Sequence, residues 1–217
     1  MKDLWSIVAD LDRLCGREVV FIGGVAVQAL TQKLGAAHGL PPESTHDVDM
    51  SVTIAASGAL RDKNLLTPNK RLKKAQITVS GVEVDVYVEH QSGLRFDYTD
   101  LATYAERLSI GKAVNVQIAA IPQLILLKLD ALKARASSAH GAKDRRDLAK
   151  LFVMGADRDE DILLAVGSAT SEDISAMQRV LKSTAFTEIA RGNAQAAAKL
   201  RAKAEKFVER VKKGRGT

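Results

Sequence analysis

Three aspartates carry the most chemistry in this sequence: Asp47 and Asp49 in "STHDVDMSV", and Asp85 in "VEVDVYV". Val48, Met50, Val52 and Ile54 keep an apolar alternation around the first two, the pattern of a half-buried strand. Residues two apart along a strand share a face, so Asp47 and Asp49 point the same way, several ångströms apart. Like charges so placed repel unless a metal ion, an arginine or water lies between them. In the second segment Val82, Val84, Val86 and Val88 line one face, leaving Glu83, Asp85, Tyr87 and Glu89 on the other. If the two strands pair, Asp47, Asp49 and Asp85 converge on one side of a sheet. Carboxylates with no Cys/His cluster nearby make a hard oxygen site, suited to Mg²⁺ or Mn²⁺ rather than zinc. Such ions complete their coordination with substrate phosphates. Two of them would activate an attacking hydroxyl and stabilise a leaving pyrophosphate.

Gly23-Gly24 fits the same chemistry. The pair ends a short buried strand, "EVVFI" at 18–22, and opens a helix, "VAVQALTQKL", that closes near Gly35. Backbone there can approach a phosphate closely, with N–H groups and the helix dipole aimed at negative charge. A glycine pair alone is usually a tight turn, and an Asp-x-Asp strand is often harmless surface. The ordered set of strand, glycine pair, helix, Asp-x-Asp strand and carboxylate strand is far more specific.

The elements around this set divide the chain near residue 120. Leu4, Ile7, Val8, Leu11 and Leu14 predict a first amphipathic helix. Residues 36–45, with Gly39, Pro41 and Pro42, read as a loop, and 55–74 as an exposed basic loop. "AQITVSGVEVDVYVEH" predicts a hairpin turning at Ser80-Gly81, and a further strand pair falls at 107–110 and 113–118. Helices are expected at 122–136, 142–154, 158–167, 171–183 and 186–212, opened by Pro122. The expected fold is α+β, with a mixed α/β domain over 1–120 and an all-helical domain over 121–217.

Composition narrows the class. The 217 residues are 46% hydrophobic and 27% charged, ordinary for a globular chain with a sizeable core. The aliphatic run "LILL" stops at Lys128, so no membrane span is expected. The acids within the N-terminal apolar pattern are wrong for a secretory signal, which makes cytoplasm the expected compartment. The lone Cys15 excludes an internal disulfide. The net charge of +6 is concentrated in "RDKNLLTPNKRLKK" and in the tail from Lys199 to Arg215, which favours polyanions or makes a solvated helix face. Aromatics at 4% are too few for a base-stacking platform.

Lys128 interrupts an apolar stripe formed with Leu124 and Leu132. Its ammonium either snorkels to water or reaches a nucleotide phosphate. Lys143 and Asp147 have the spacing of a helical salt bridge, whereas Asp144 shares its register with Leu148 and Leu151.

The motifs "FIGGVAVQAL", "STHDVDMSV" and "VEVDVYV" resemble the core of the DNA polymerase beta-like nucleotidyltransferase superfamily, over roughly residues 18–90. More loosely, "IPQLILLKLDALKARASSAHGAKDRRDLAKLF" looks like the helical segment of AbiEii-type toxins of type IV toxin–antitoxin pairs. The resemblance implies a minimal nucleotidyltransferase sheet flanked by helices. It makes Asp47, Asp49 and Asp85 metal ligands, with Asp85 a candidate base, and Gly23 and Gly24 a phosphate cradle. It adds Lys128, Lys143, Asp144 and Asp147 as site candidates. Val25 stands where many members carry a phosphate-holding serine. His46, where relatives often carry a basic or polar residue, is left outside the catalytic set.

The function so implied is Mg²⁺-dependent transfer of a nucleoside monophosphate from an NTP to an acceptor, with RNA (tRNA in particular) favoured and an antitoxin protein as partner. Lys70, Arg71, Lys73 and Lys74 are the expected RNA contacts. A small-molecule acceptor, as in antibiotic nucleotidyltransferases, is the enzymatic alternative. An inert binding module on the same fold is the other.

Overall fold

The computed structural model describes residues 3–63, 67–69 and 74–216. The chain forms two compact units, Met1–Ala29 with Glu43–Ala120, and Leu30–Pro42 with Ile121–Thr217. The sequence places 30–42 with the first domain; in the structure these residues group with the helices.

In the first unit, α1 (Leu4–Leu14) is capped by Asp3, whose carboxylate accepts from Ser6 N at 3.0 Å, and it buries Ile7, Val8 and Leu11. Strand β1 (Val19–Ile22) is buried throughout, and α2 (Gly23–Leu34) starts at the next residue. Strand β2 (Asp47–Val52) follows, then α3 (Ile54–Asp62), β3 (Thr67–Asn69), β4 (Lys74–Val79), β5 (Val82–Val88), α4 (Tyr98–Tyr104), β6 (Glu106–Ile110) and β7 (Ala113–Ile118). The seven strands form one mixed sheet in the order β3-β4-β5-β2-β1-β7-β6. β2 runs parallel to β5 and β1 parallel to β7; the remaining pairs are antiparallel. Ser80 and Gly81, at φ 52° and 83°, make the β4–β5 turn, whose left-handed backbone matches the strand twist.

Within the expected loop over 55–74, residues 55–62 lie in a helix and 67–69 and 74 in strands. Thr53 opens α3 by accepting from Ala56 N at 3.0 Å, and the helix buries Ala56 and Leu60. With so few large apolar residues in it, periodicity could not reveal a helix that rests on its cap and on alanine propensity. Lys70, Arg71 and Lys73 lie outside the described residues.

The second unit is helical: α5 (Ile121–Arg135), α6 (Ala139–Gly155), α7 (Asp159–Ser168), α8 (Ser171–Leu181), α9 (Ala185–Ile189) and α10 (Ala194–Arg215). Its core includes Phe152 and Phe207, stacked with ring centroids 5.8 Å apart, and Leu148, Val208 and Val211. The single helix expected over 186–212 is broken. Arg191 and Gly192 take φ of 51° and 81°, and Asn193 restarts the chain by capping α10 through Ala196 N at 2.9 Å. The architecture is thus α+β, a mixed sheet with flanking helices followed by C-terminal helices. Among the described residues no helix is long and apolar enough to cross a membrane.

Candidate functional site

β2 and β5 are paired in parallel with Asp49 opposite Asp85 and Asp47 opposite Glu83. Directly opposed residues project from the same side of a sheet, so Asp47, Asp49 and Asp85 share a face. Val48, Met50, Val84 and Val86 are buried on the other side, which fixes the register: a slip of one residue would bury the acids.

Asp49 is the middle of this face and touches the start of α2. Gly23 has φ +65°, and a Cβ built on it would lie 2.0 Å from Asp49 Oδ2. The close approach expected of a phosphate at Gly23 is made here by the Asp49 carboxylate, beside the positive end of a helix dipole. Gly24 is buried in the first turn and the Val25 side chain is fully buried, so half-buried Gly23 is the part of this turn nearest to solvent.

Asp47 is exposed, and the Thr45 hydroxyl donates to its Oδ1. Thr45 N in turn donates to Gln28 Oε1 of α2 at 3.0 Å, tying the segment before β2 to the helix. His46 is exposed.

Asp85 is engaged through both oxygens. The Lys74 ammonium donates to Oδ2, and Gln76 Nε2 donates to Oδ1 at 2.9 Å while also reaching Glu83 Oε1 at 2.7 Å. Lys74 and Asp85 are 12% and 18% exposed, so this pair is shielded from screening far more than a surface ion pair. Lys74 is therefore not a member of an exposed basic loop: it begins β4 on the acidic face. The sequence offers Lys74 as an RNA contact, whereas the structure pairs it with Asp85, and Gln76, Thr45 and Gln28 are no part of the expected site. Their alternation with buried Ala75 and Ile77 puts Lys74 and Gln76 on one face of β4, and the β4–β5 register sets Gln76 opposite Asp85.

As folded, no three His, Cys, Asp or Glu residues form a ready metal cage among the described residues. The donor types and the shared face nevertheless suit a hard cation, because Asp49 and Asp85 lie opposed and only half-buried. What stands against it locally is the Lys74 ammonium on Asp85.

The other candidates belong to the helical unit. Lys128, only 6% exposed, places Nζ 3.0 Å from Asp144 Oδ1 and 2.8 Å from Asp147 Oδ2. Arg135 adds Nε at 2.7 Å and Nη2 at 3.1 Å to Asp144. Burial by itself would lower the Lys128 pKa, but the Asp147 and Asp144 carboxylates outweigh it and the ammonium is held charged above its ordinary range. Burial likewise would raise the Asp144 carboxyl, yet the Arg135 and Lys128 contacts take it below 3.8. Asp147, expected to face Lys143, pairs with Lys128, and Lys143 is half-exposed. The Lys128 ammonium does not snorkel to water, and both of its near anions come from α6.

A crystal structure of an antigenic nucleotidyltransferase-like protein from Paracoccidioides brasiliensis matches 87% of this chain and 92% of its own, with a TM-score of 0.53 and 15% identity. The fold is nucleotidyltransferase-like. No family model and no curated protein matches the sequence. At that identity the likeness concerns the backbone, so chemistry has to be argued from the acidic face of this nucleotidyltransferase-like sheet.

Gly23 offers a direct check of that face. Gly23→Ala is expected to cost about 2–4 kcal/mol, from left-handed strain of roughly 1–2 kcal/mol and from the clash with Asp49. Gly16, at φ +60° and with nothing within 4 Å of where a methyl group would stand, reports the strain alone. Urea unfolding of Gly23→Ala and Gly16→Ala side by side isolates the Asp49 contact; equal losses would mean that Asp49 does not rest on Gly23.

Proposed function

We propose that the acidic face is a nucleotidyl-transfer site that moves a nucleoside monophosphate from an NTP to an acceptor hydroxyl. The observation that supports it most is the opposed Asp49–Asp85 pair on a half-buried sheet face beside the start of α2. Asp47, Asp49 and Asp85 would hold Mg²⁺ or Mn²⁺, which when bound supplies charge to the attacking and leaving oxygens. The chain's own part is positional. Thr45 and Gln28 orient Asp47, Gly23 seats Asp49, and backbone of the first α2 turn meets the phosphates. The acceptor oxygen forms a bond to the α-phosphorus, the bond to the β-phosphate oxygen breaks, and pyrophosphate leaves. Asp85 accepts the hydroxyl proton.

RNA, tRNA in particular, is the acceptor we favour, supported by the net charge of +6 and by the resemblance to AbiEii-type toxins. That resemblance also carries a toxin role, a protein antitoxin and a cytoplasmic location as extensions of the reading. The Lys74–Asp85 pair and the buried Val25 favour a second reading, an inert nucleotide- or RNA-binding module on the same fold. Incubation with each labelled NTP, Mg²⁺ and total RNA separates them. Label transferred to RNA supports the enzyme, and label on small hydroxylated molecules moves the acceptor. No labelled product under any condition, with nucleotide still bound, leaves the module.

A further inference from the structure

Resting on the nucleotidyl-transfer reading, we propose that Lys74 couples nucleotide to metal: its ammonium holds the place of a divalent cation at Asp85 and moves to the substrate's phosphates when the cation enters.

Both Asp85 oxygens are taken, Oδ2 by the Lys74 ammonium and Oδ1 by the Gln76 amide. The two partners differ in what they do to an arriving ion. Gln76 is neutral and carries its second contact to Glu83, so it can stay. The ammonium is a positive charge a few ångströms from where the ion would bind, in a place where the pair is 12% and 18% exposed and poorly screened. A divalent ion therefore either fails to bind Asp85 or displaces Lys74.

Displacement has a cost for Lys74 as well as for the ion, because a largely buried ammonium without an anion is unfavourable. An NTP removes that cost. Its phosphates bring negative charge to the same ion, and lysine, a point charge on a flexible four-carbon stem, can follow it by rotating. Metal and nucleotide then each favour the other through one side chain, which is positive coupling between two ligands. The same geometry helps three carboxylates on one face to tolerate each other without a metal ion. Lys74 offsets part of their repulsion.

Lys74 is thus a positioning residue with opposite effects on the two ligands, something that a merely structural lysine would not show. The experiment titrates Mn²⁺ by electron paramagnetic resonance into the full chain without nucleotide, and a non-hydrolysable NTP analogue by calorimetry at saturating Mn²⁺. Wild type, Lys74→Met, Lys74→Arg and Asp49→Asn are compared, each checked by circular dichroism. Lys74→Met is expected to bind Mn²⁺ about fivefold to tenfold more tightly and the analogue about tenfold more weakly, the effect of losing roughly one ion pair. Lys74→Arg, which keeps the charge, should stay within about threefold of wild type on both. If wild type and Lys74→Met bind Mn²⁺ equally while Asp49→Asn loses it, the coupling is wrong and the transfer site stands. If wild type binds no Mn²⁺ even with the analogue present, the site reading fails and the coupling with it.

Discussion

Asp49→Asn is expected to lose nucleotidyl transfer by a factor of about 10³ or more, roughly 4 kcal/mol of transition-state stabilisation, while the chain folds as before. Asparagine keeps the shape of the side chain that rests on Gly23, so the packing at the start of α2 survives. What disappears is the central charge of the face, the one opposed to Asp85 and shared with Asp47 on the same strand. Removing one of three neighbouring acids lowers their repulsion, so the melting temperature should be unchanged or slightly raised in metal-free buffer. The measurement is labelled NMP incorporation with the acceptor found for wild type, beside thermal melts with and without EDTA. Transfer that persists in Asp49→Asn, or in wild type with excess EDTA, would remove the metal-based mechanism. A melting temperature that falls by many degrees would instead make Asp49 a structural acid.

The central strands of this face were legible because their sequence pattern has one physical reading. Alternating valines in "VEVDVYV" and the Val48, Met50 and Val52 alternation demand one buried and one open side, and that fixes which way Asp49 and Asp85 point. What a strand does to its neighbour in space was harder to see. Lys74 ends a segment whose charge density, "NKRLKK", reads as solvated loop, whereas Gln76 lies in the expected hairpin, and the β4–β5 register sets it opposite Asp85. The same limit applies to α3 and to the break before α10. A threonine cap and an Arg191-Gly192-Asn193 corner are local signals without periodicity; the first is outweighed by the charged residues that follow it, the second by the long helical pattern around it. Lys128 was conspicuous as a lysine on an apolar stripe. Its partners were not legible, because the pairing depends on how α5 and α6 lie against each other rather than on spacing along either helix.

That pairing leads to the largest expected effect on stability. Lys128→Met leaves a side chain of similar length, but Asp147, 5% exposed, loses the Lys128 ammonium beside it, and Asp144 keeps Arg135. Breaking a buried pair from one side costs about 3–5 kcal/mol, which for a chain of this size lowers the melting temperature by roughly 6–20 °C. The pH dependence has a definite sign. The Asp144 carboxyl is held below 3.8 in the folded chain, so its contribution is present above that value and lost as pH falls through the folded pKa. The Lys128 ammonium is raised above 10.5, so its contribution is complete below 10.5 and lost only as pH rises beyond it. The cluster should therefore support the helical unit fully between about pH 4 and 10. In Lys128→Met the Asp147 carboxylate stays buried without the Lys128 ammonium, a stranded charge. Asp147→Asn added to Lys128→Met removes the stranded charge and should recover part of the loss, giving a coupling energy for the pair. Melts at pH 4 and pH 7 for the single and double variants, with NMP incorporation at 20 °C, carry the test. A melting temperature close to wild type together with lost incorporation would overturn the structural role and put Lys128 at the substrate.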